Sequence, residues 1–340
     1  MIVNTQELNV MLTRLSRIMP KRSPLTTETC FGLWADDGRL YGYAVNTGEG
    51  MSVRLDIRCE GEFPAVVVEN TLGKVMPYLR NETVELTLSE DSRVVCEAGD
   101  SVSRHATTLE HMPRIHCDDI QPRGTISATE FAMIAGGVAQ LASANDPVPL
   151  MRAALVRNGF VSATDRFSAA RVFCPELDKD VAAFPPATAF LEFSRAGVDA
   201  AVAASDAAMI FTGEGIEMRT LQLDVMRATD IAAFFQQQSS KFVSEINAAE
   251  FVNALNAAAI FTENAVTLEI SPEELVVAAG EYRARLACHS NTSDVLMFDV
   301  KRLLQASRSF FKEVEFSFDS PQKPMLFRGK CEYAMMGMQK

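Results

Sequence analysis

The feature that most constrains this chain is a helix-opening pattern written three times. Thr5-Gln6-Glu7-Leu8, Ala128-Thr129-Glu130-Phe131 and Ala248-Ala249-Glu250-Phe251 recur at intervals of about 120 residues, and a fixed period of that size marks a repeated domain. The clearest copy runs from Asn247 to Gly280. There Phe251, Leu255 and Ala258 fall on one face of a helical period, and Val266 to Ala279 alternates like two strands around a Pro272-Glu273 turn. Each copy is a helix followed by a β-hairpin.

The same unit appears at the start of the chain. From Thr5 onward Leu8, Met11, Leu12, Leu15 and Ile18 keep helical spacing until Pro20 ends the element. Arg14, Arg17 and Lys21 lie on the opposite face, which taken alone is an ordinary solvated surface. Residues 31–34 and 39–45 flank Asp36-Asp37-Gly38, a hairpin signal. A short helix over 70–76, broken by Pro77, and strands over 84–88 and 93–98 then repeat the unit, so each domain holds it twice. A polar break at 118–124 closes a first domain, residues 1–122. The second, residues 123–236, opens with Ser127 as N-cap and a helix burying Phe131, Ile134, Val138 and Leu141. It continues with a hairpin around Arg157-Asn158-Gly159, an alanine-rich helix over 194–205 with Arg195 at its start, and strands over 207–211 and 216–223. A polar linker over 236–240 follows. The third, residues 237–340, holds the clearest copy, a strand over 282–289, and a helix over 299–311 on which Lys301, Arg308 and Lys312 share a face with Gln305. Strands over 314–318 and 325–328 and a Met-rich tail complete it. The expectation is an α+β chain of three tandem domains.

With 340 residues, 48% of them hydrophobic, the chain has enough apolar material for several cores. No apolar run approaches the roughly 18 residues of a membrane span, and Met1-Ile2-Val3-Asn4 lacks the basic start of a signal peptide, so a cytoplasmic protein with no membrane partner is expected. The seven cysteines stand singly with no CxxC, which reads as buried thiols. A net charge of -12 argues against a surface that coats nucleic acid indiscriminately. It leaves room for a few cations gathered on one face, because local potential governs phosphate binding. No H-E-x-x-H, phosphate loop or G-x-S-x-G occurs. His105, His111, His116 and His289 form no catalytic set with Cys117, and His111, His116, Cys117, Asp118 and Asp119 read as surface loop rather than metal site. No enzyme, metal or cofactor is expected.

Two further stretches sit on this threefold repeat: Ser162-Ala163-Thr164-Asp165-Arg166-Phe167 in mid-chain and Ala334-Met335-Met336-Gly337-Met338 at the end. Together they resemble, over the whole chain, the bacterial DNA sliding clamp, the beta subunit of the replicative DNA polymerase III. Family members carry a Thr-Asp-Gly-His-Arg-Leu-like turn where this chain has Thr164 to Ala169, and a Val-Met-Pro-Met-like tail where it has Met335 to Met338. Arg166-Phe167-Ser168-Ala169 in place of Gly-His-Arg-Leu, and Gly337 in place of proline, fit a phage-encoded or otherwise divergent member with an altered peptide preference.

The resemblance implies three DNA-clamp domains forming half of a six-domain, head-to-tail homodimeric ring that encircles double-stranded DNA. Such a processivity factor slides without sequence preference and tethers the replicative DNA polymerase and the clamp loader. The DNA-facing cations would be Arg14, Arg17, Lys21, Arg22, Lys74, Arg80, Arg152, Arg195, Lys301, Arg302 and Arg308. A partner-peptide pocket would take Met151, Thr164, Asp165, Arg166, Phe167, Ser168, Ala169, Met335, Met336, Gly337 and Met338, where flexible methionines suit varied apolar ligands. Ile260 and Phe261 would form the dimer contact. The rival reading is a clamp-like interaction scaffold that no longer encircles DNA, kept open because the first helices of domains 2 and 3 carry no Lys or Arg.

Overall fold

Pairing between distant strands, more than chain order, decides how this chain divides. The structure, a computed structural model, describes residues 1–340 apart from 109, 144–145, 226–230, 236–238, 308–311, 321–322, 330 and 339–340. Its residues group into two compact units, one of Met1–Thr125 with Val198–Gln222 and one of Ile126–Gly197 with Leu223–Lys340.

In the first unit, helix α1 (Thr5–Ile18) begins where the Asn4 side chain accepts the N–H groups of Gln6 and Glu7 at 3.0 and 3.1 Å, satisfying two donors that the first turn leaves open. The predicted apolar stripe of Leu8, Met11, Leu12, Leu15 and Ile18 is buried against strands Arg39–Asn46 and Met51–Glu60. Helix α2 (Thr71–Val75) passes into a tight turn over Met76–Tyr78 at Pro77. The predicted hairpin joins Cys30–Asp36 to Arg39–Asn46, with Asp37 and Gly38 both at positive φ, the geometry a two-residue hairpin turn requires.

Eight strands of this unit close on themselves, because Ile2–Asn4 pairs with Thr83–Leu88 on one side and with the far end of Met51–Glu60 on the other. The near end of that long strand pairs instead with Ile216–Leu221. Through it the chain stretch 198–222 joins a unit that is otherwise built from the first 125 residues.

That pairing overturns one expectation. Residues 194–205 are not a helix: helix α4 is Ala187–Ser194, Gly197 turns the chain at φ 68°, and Ala200–Ala204 is a strand antiparallel to Ala208–Gly213. Alanine favours helices only weakly, and sheet pairing overrides it. Arg195 therefore ends a helix rather than starting one, and pairs with Glu192.

The second unit holds the remaining helices. In α3 (Ala128–Met133), Ser127 and Glu130 form a reciprocal capping box, and the helix widens into a π-turn over Ile134–Val138. Phe131 packs on Phe190 and Phe193 of α4 with ring centroids 5.9 and 4.7 Å apart. The others are α5 (Ala232–Phe235), α6 (Ala248–Phe261) and α7 (Val300–Ser307), with α6 and α7 packed together. A nine-stranded sheet runs through this unit with Cys331–Met335 seated between Ser168–Phe173 and Met325–Arg328. A four-stranded sheet contains the predicted hairpin as Ala265–Ile270 and Glu274–Ala279. All seven cysteines are free thiols. Burial pushes Cys174 and Cys331 up to about 12, so both pack as neutral groups.

His105 is a buried titratable group of the first unit. Its ring lies between the hydroxyls of Thr71 (3.0 Å, Nδ1) and Ser103 (2.9 Å, Nε2), tying the start of α2 to strand Ser101–Thr108. Burial lowers its pKa below the usual 6.5, against a smaller opposing effect of Glu69. As pH falls below that value the unfolded chain takes a proton the folded ring refuses, so this stabilisation is present above the unfolded pKa and lost as pH drops. Urea unfolding between about pH 7 and about pH 5 is expected to show a smaller loss of stability for His105→Gln than for the parent chain.

Candidate partner-binding site and basic helices

The turn between strands Phe160–Thr164 and Ser168–Phe173 is built by its own side chains. Asp165 Oδ1 accepts the N–H groups of Phe167 and Ser168 at 3.0 and 2.6 Å. Thr164 Oγ1 donates to the Ser168 carbonyl at 2.7 Å and accepts the Arg166 N–H at 3.2 Å. Arg166 holds φ 79°, a conformation that costs a side chain on the order of 1 kcal/mol and suits glycine. Its guanidinium meets both oxygens of Asp146 at 3.1 and 3.2 Å. That two-oxygen contact fastens the turn to the loop before Met151.

Arg302 on α7 fixes the other side of the turn. Its Nε donates to Asp165 Oδ2 at 3.0 Å, and its guanidinium lies 4.4 Å from the centre of the Phe167 ring. The tail joins next. Met335 pairs with Ser168, the Met336 N–H donates to the Phe167 carbonyl at 2.9 Å, and the Met338 N–H donates to the Met297 carbonyl at 2.7 Å. Thr164, Ser168, Ala169 and Met335 are thereby buried and act as the frame. Phe167 is 53% exposed and Met338 40% exposed, and they present the apolar surface with half-buried Met151, Met336 and Gly337.

Behind the turn, Leu150, Ala169, Ile231, Leu326 and Ala334 form an apolar cluster on which Met151, Phe184, Leu223, Phe234 and Phe235 pack half-buried. Arg171 is held between the rings of Phe160 and Phe235, at 4.5 and 4.4 Å, and pairs with Glu332. Two buried polar atoms here, Arg152 Nε and Ser168 Oγ, have no hydrogen-bond partner among the described residues. Buried unpaired donors cost stability, and a ligand that reached them would relieve it.

The cations divide by unit. In the first, Arg14 is half-buried on α1 while Arg17, Lys21 and Arg22 are exposed along its last turn and just beyond. Ser16 Oγ reaches Asn70 Oδ1 at 3.4 Å beside α2, where Lys74 and Arg80 are also exposed. In the second, Lys301 is exposed on α7, Arg302 is engaged with Asp165 and Phe167, and Arg152 follows Met151 beside the apolar cluster. Arg308 lies outside the described residues. At the end of α6, Ile260 is 82% and Phe261 54% exposed, with the Phe261 ring stacked on Tyr282 at 5.5 Å.

Three solved structures share this architecture over 100% of this chain and 99% of their own. They are the DNA polymerase sliding clamp of Caulobacter crescentus (TM-score 0.84, 16% identity), the DNA polymerase III subunit beta of Pseudomonas aeruginosa (0.85, 15%) and that of Thermotoga maritima (0.86, 16%). The chain has the sliding-clamp fold. No protein-family model matches its sequence, and no curated protein matches it. Within this clamp fold, no three His, Cys, Asp or Glu side chains come together as a metal site among the described residues. No described helix is long and apolar enough to cross a membrane.

Sequence reasoning did not find Asp146, Arg171, Phe184, Phe234 or Phe235. The apolar run from Ile231 to Phe235, just before the polar stretch over 236–240, was the one available signal; the rest depend on tertiary pairing. Asp165→Ala removes the acceptor for two N–H groups and the partner of Arg302, and is expected to destabilise the clamp fold by about 2 kcal/mol. Arg302→Ala is expected to cost less, with both read by urea denaturation.

Proposed function

We propose that this chain is a DNA polymerase processivity factor: a homodimer whose two copies, each of domains 1–122, 123–236 and 237–340, close a six-domain ring around duplex DNA. The observation that carries the reading is the sliding-clamp fold over the full chain. The cations exposed along α1 and α2 support it, because they gather on neighbouring helices in a chain of net charge -12. Retention by topology needs no base readout. Contacts by Arg14, Arg17, Lys21, Arg22, Lys74, Arg80 and Lys301 would be phosphate-directed, weak and interchangeable, as sliding requires.

The partner-peptide site in this reading is the surface of Phe167, Met151, Met336, Gly337 and Met338, framed by the Asp165–Arg302 pair. A short apolar segment of the replicative polymerase or the clamp loader would bury these side chains in the cytoplasm. Ile260 and Phe261 would be covered by the second copy; large apolar groups this exposed at a helix end suit an interface.

The full chain is expected to sediment as a dimer at micromolar concentration, to stay on closed circular DNA through gel filtration, and to leave the same DNA once linearised. Ile260→Asp with Phe261→Asp is expected to yield a folded monomer. A parent chain that is monomeric, or equal retention on both DNA forms, contradicts the ring and favours the interaction scaffold.

Arg14→Ala with Arg17→Ala is expected to weaken DNA association equally for all sequences. The salt slope of log K should fall by about 0.9 for each phosphate that the variant no longer neutralises. An unchanged slope removes α1 from the DNA-facing set.

A further inference from the structure

In the first unit, between strand Ser101–Thr108 and the start of strand Gln121–Ile126, residues 110–119 form a strap with no ladder of their own. Tyr43 pins it by donating its hydroxyl to the Pro113 carbonyl at 3.1 Å. Met112 rests in the dip left by Gly32, its Sδ 3.0 Å from where a Cβ on that residue would stand. Alongside the strap lies a cavity of about 820 Å³, lined only by residues of this unit.

The cavity follows one row of directly opposed residues: Thr108, Val67, Gly32, Tyr43, Arg54 and Glu217. Five strand spacings of about 4.8 Å make this row roughly 24 Å long, the length of about seven extended residues. A compact ligand would fill only part of it. The strap also has main-chain donors to spare: the N–H groups of His111, Met112, Arg114 and His116 have no acceptor among the described residues. An extended peptide can use those groups as an added strand does.

The chemistry changes along the row. Toward Thr108 the apolar walls are Val66, Val67, Leu88 and Met112; toward Glu217 the walls are Arg54, Arg114 and Arg219. Glu217 accepts Arg54 Nη2 at 3.1 Å and Arg219 Nε at 2.8 Å, and each guanidinium keeps N–H groups beyond those bonds. Arg114 is exposed, with no ion pair among the described residues. Among the lining residues the three guanidiniums outnumber the two carboxylates, Glu110 and Glu217, a local excess of positive charge in an acidic chain.

We propose that this trough docks a short extended peptide bearing acidic side chains, laid along the strap over 110–116. It lies within one unit and stands whether or not the chain encircles DNA.

Trp34, the single tryptophan of the chain, lines the trough and stacks on Tyr41 at 5.3 Å, so its fluorescence reports occupancy. A capped heptapeptide of alternating Asp and Leu is titrated into the full chain, with the Lys-Leu counterpart and ATP as controls. The expected result is a saturable Trp34 shift with the Asp-Leu peptide, about tenfold weaker in Arg114→Glu, whose exposed site leaves the fold intact. The proposal is overturned if Trp34 does not respond, if the Lys-Leu peptide binds as tightly, if Arg114→Glu leaves affinity unchanged, or if ATP displaces the peptide and marks the trough as a nucleotide site.

Discussion

Sheet edges are the constraint on which this structure depends. An unpaired strand presents a row of open N–H and C=O groups that must find a partner, and here the partners come from far along the chain. Met51–Glu60 takes Ile2–Asn4 at one end and Ile216–Leu221 at the other. Cys331–Met335 fills the space between Ser168–Phe173 and Met325–Arg328. Two of these junctions, Met51–Glu60 with Ile216–Leu221 and Cys331–Met335 with Ser168–Phe173, tie a stretch of one sequence repeat to a stretch of another, and the helices pack on sheets completed in this way.

Much of this was legible from local pattern. Helices α1 and α6 follow their apolar spacing, and Asp36-Asp37-Gly38 forms the hairpin its composition indicates. Ala200–Ala204 shows where local pattern ends: five small residues suit a helix or a strand, and the pairing with Ala208–Gly213 decides. The candidate partner-binding site divides in the same manner. Its turn and tail could be named from motif, whereas the commitment of Arg302 to Asp165 and Phe167 joins residues 137 positions apart. Nothing in the spacing of α7 distinguishes Arg302 from its neighbour Lys301, which remains exposed.

Positive charge in this acidic chain serves two ends. Arginines in ion pairs, such as Arg54 with Glu217, Arg166 with Asp146 and Arg302 with Asp165, join separate segments through planar forks. Exposed pairs of this kind add little stability but hold loops in register. The cations exposed at the end of α1 and beside α2, by contrast, have long stems in open solvent. Their field is accordingly sensitive to ionic strength, and the geometry of the paired set is much less so.

The way the C-terminal strand is seated has a mechanical consequence. Cys331–Met335 faces Ser168–Phe173 through five opposed residue pairs, and Met336 and Met338 are then fastened to Phe167 and Met297. A load applied at Met338 therefore meets the Met297 and Phe167 carbonyls before it reaches the five strand pairs. Anchoring is thus shared between the strand and two separate points beyond it, instead of resting on the last strand pair alone.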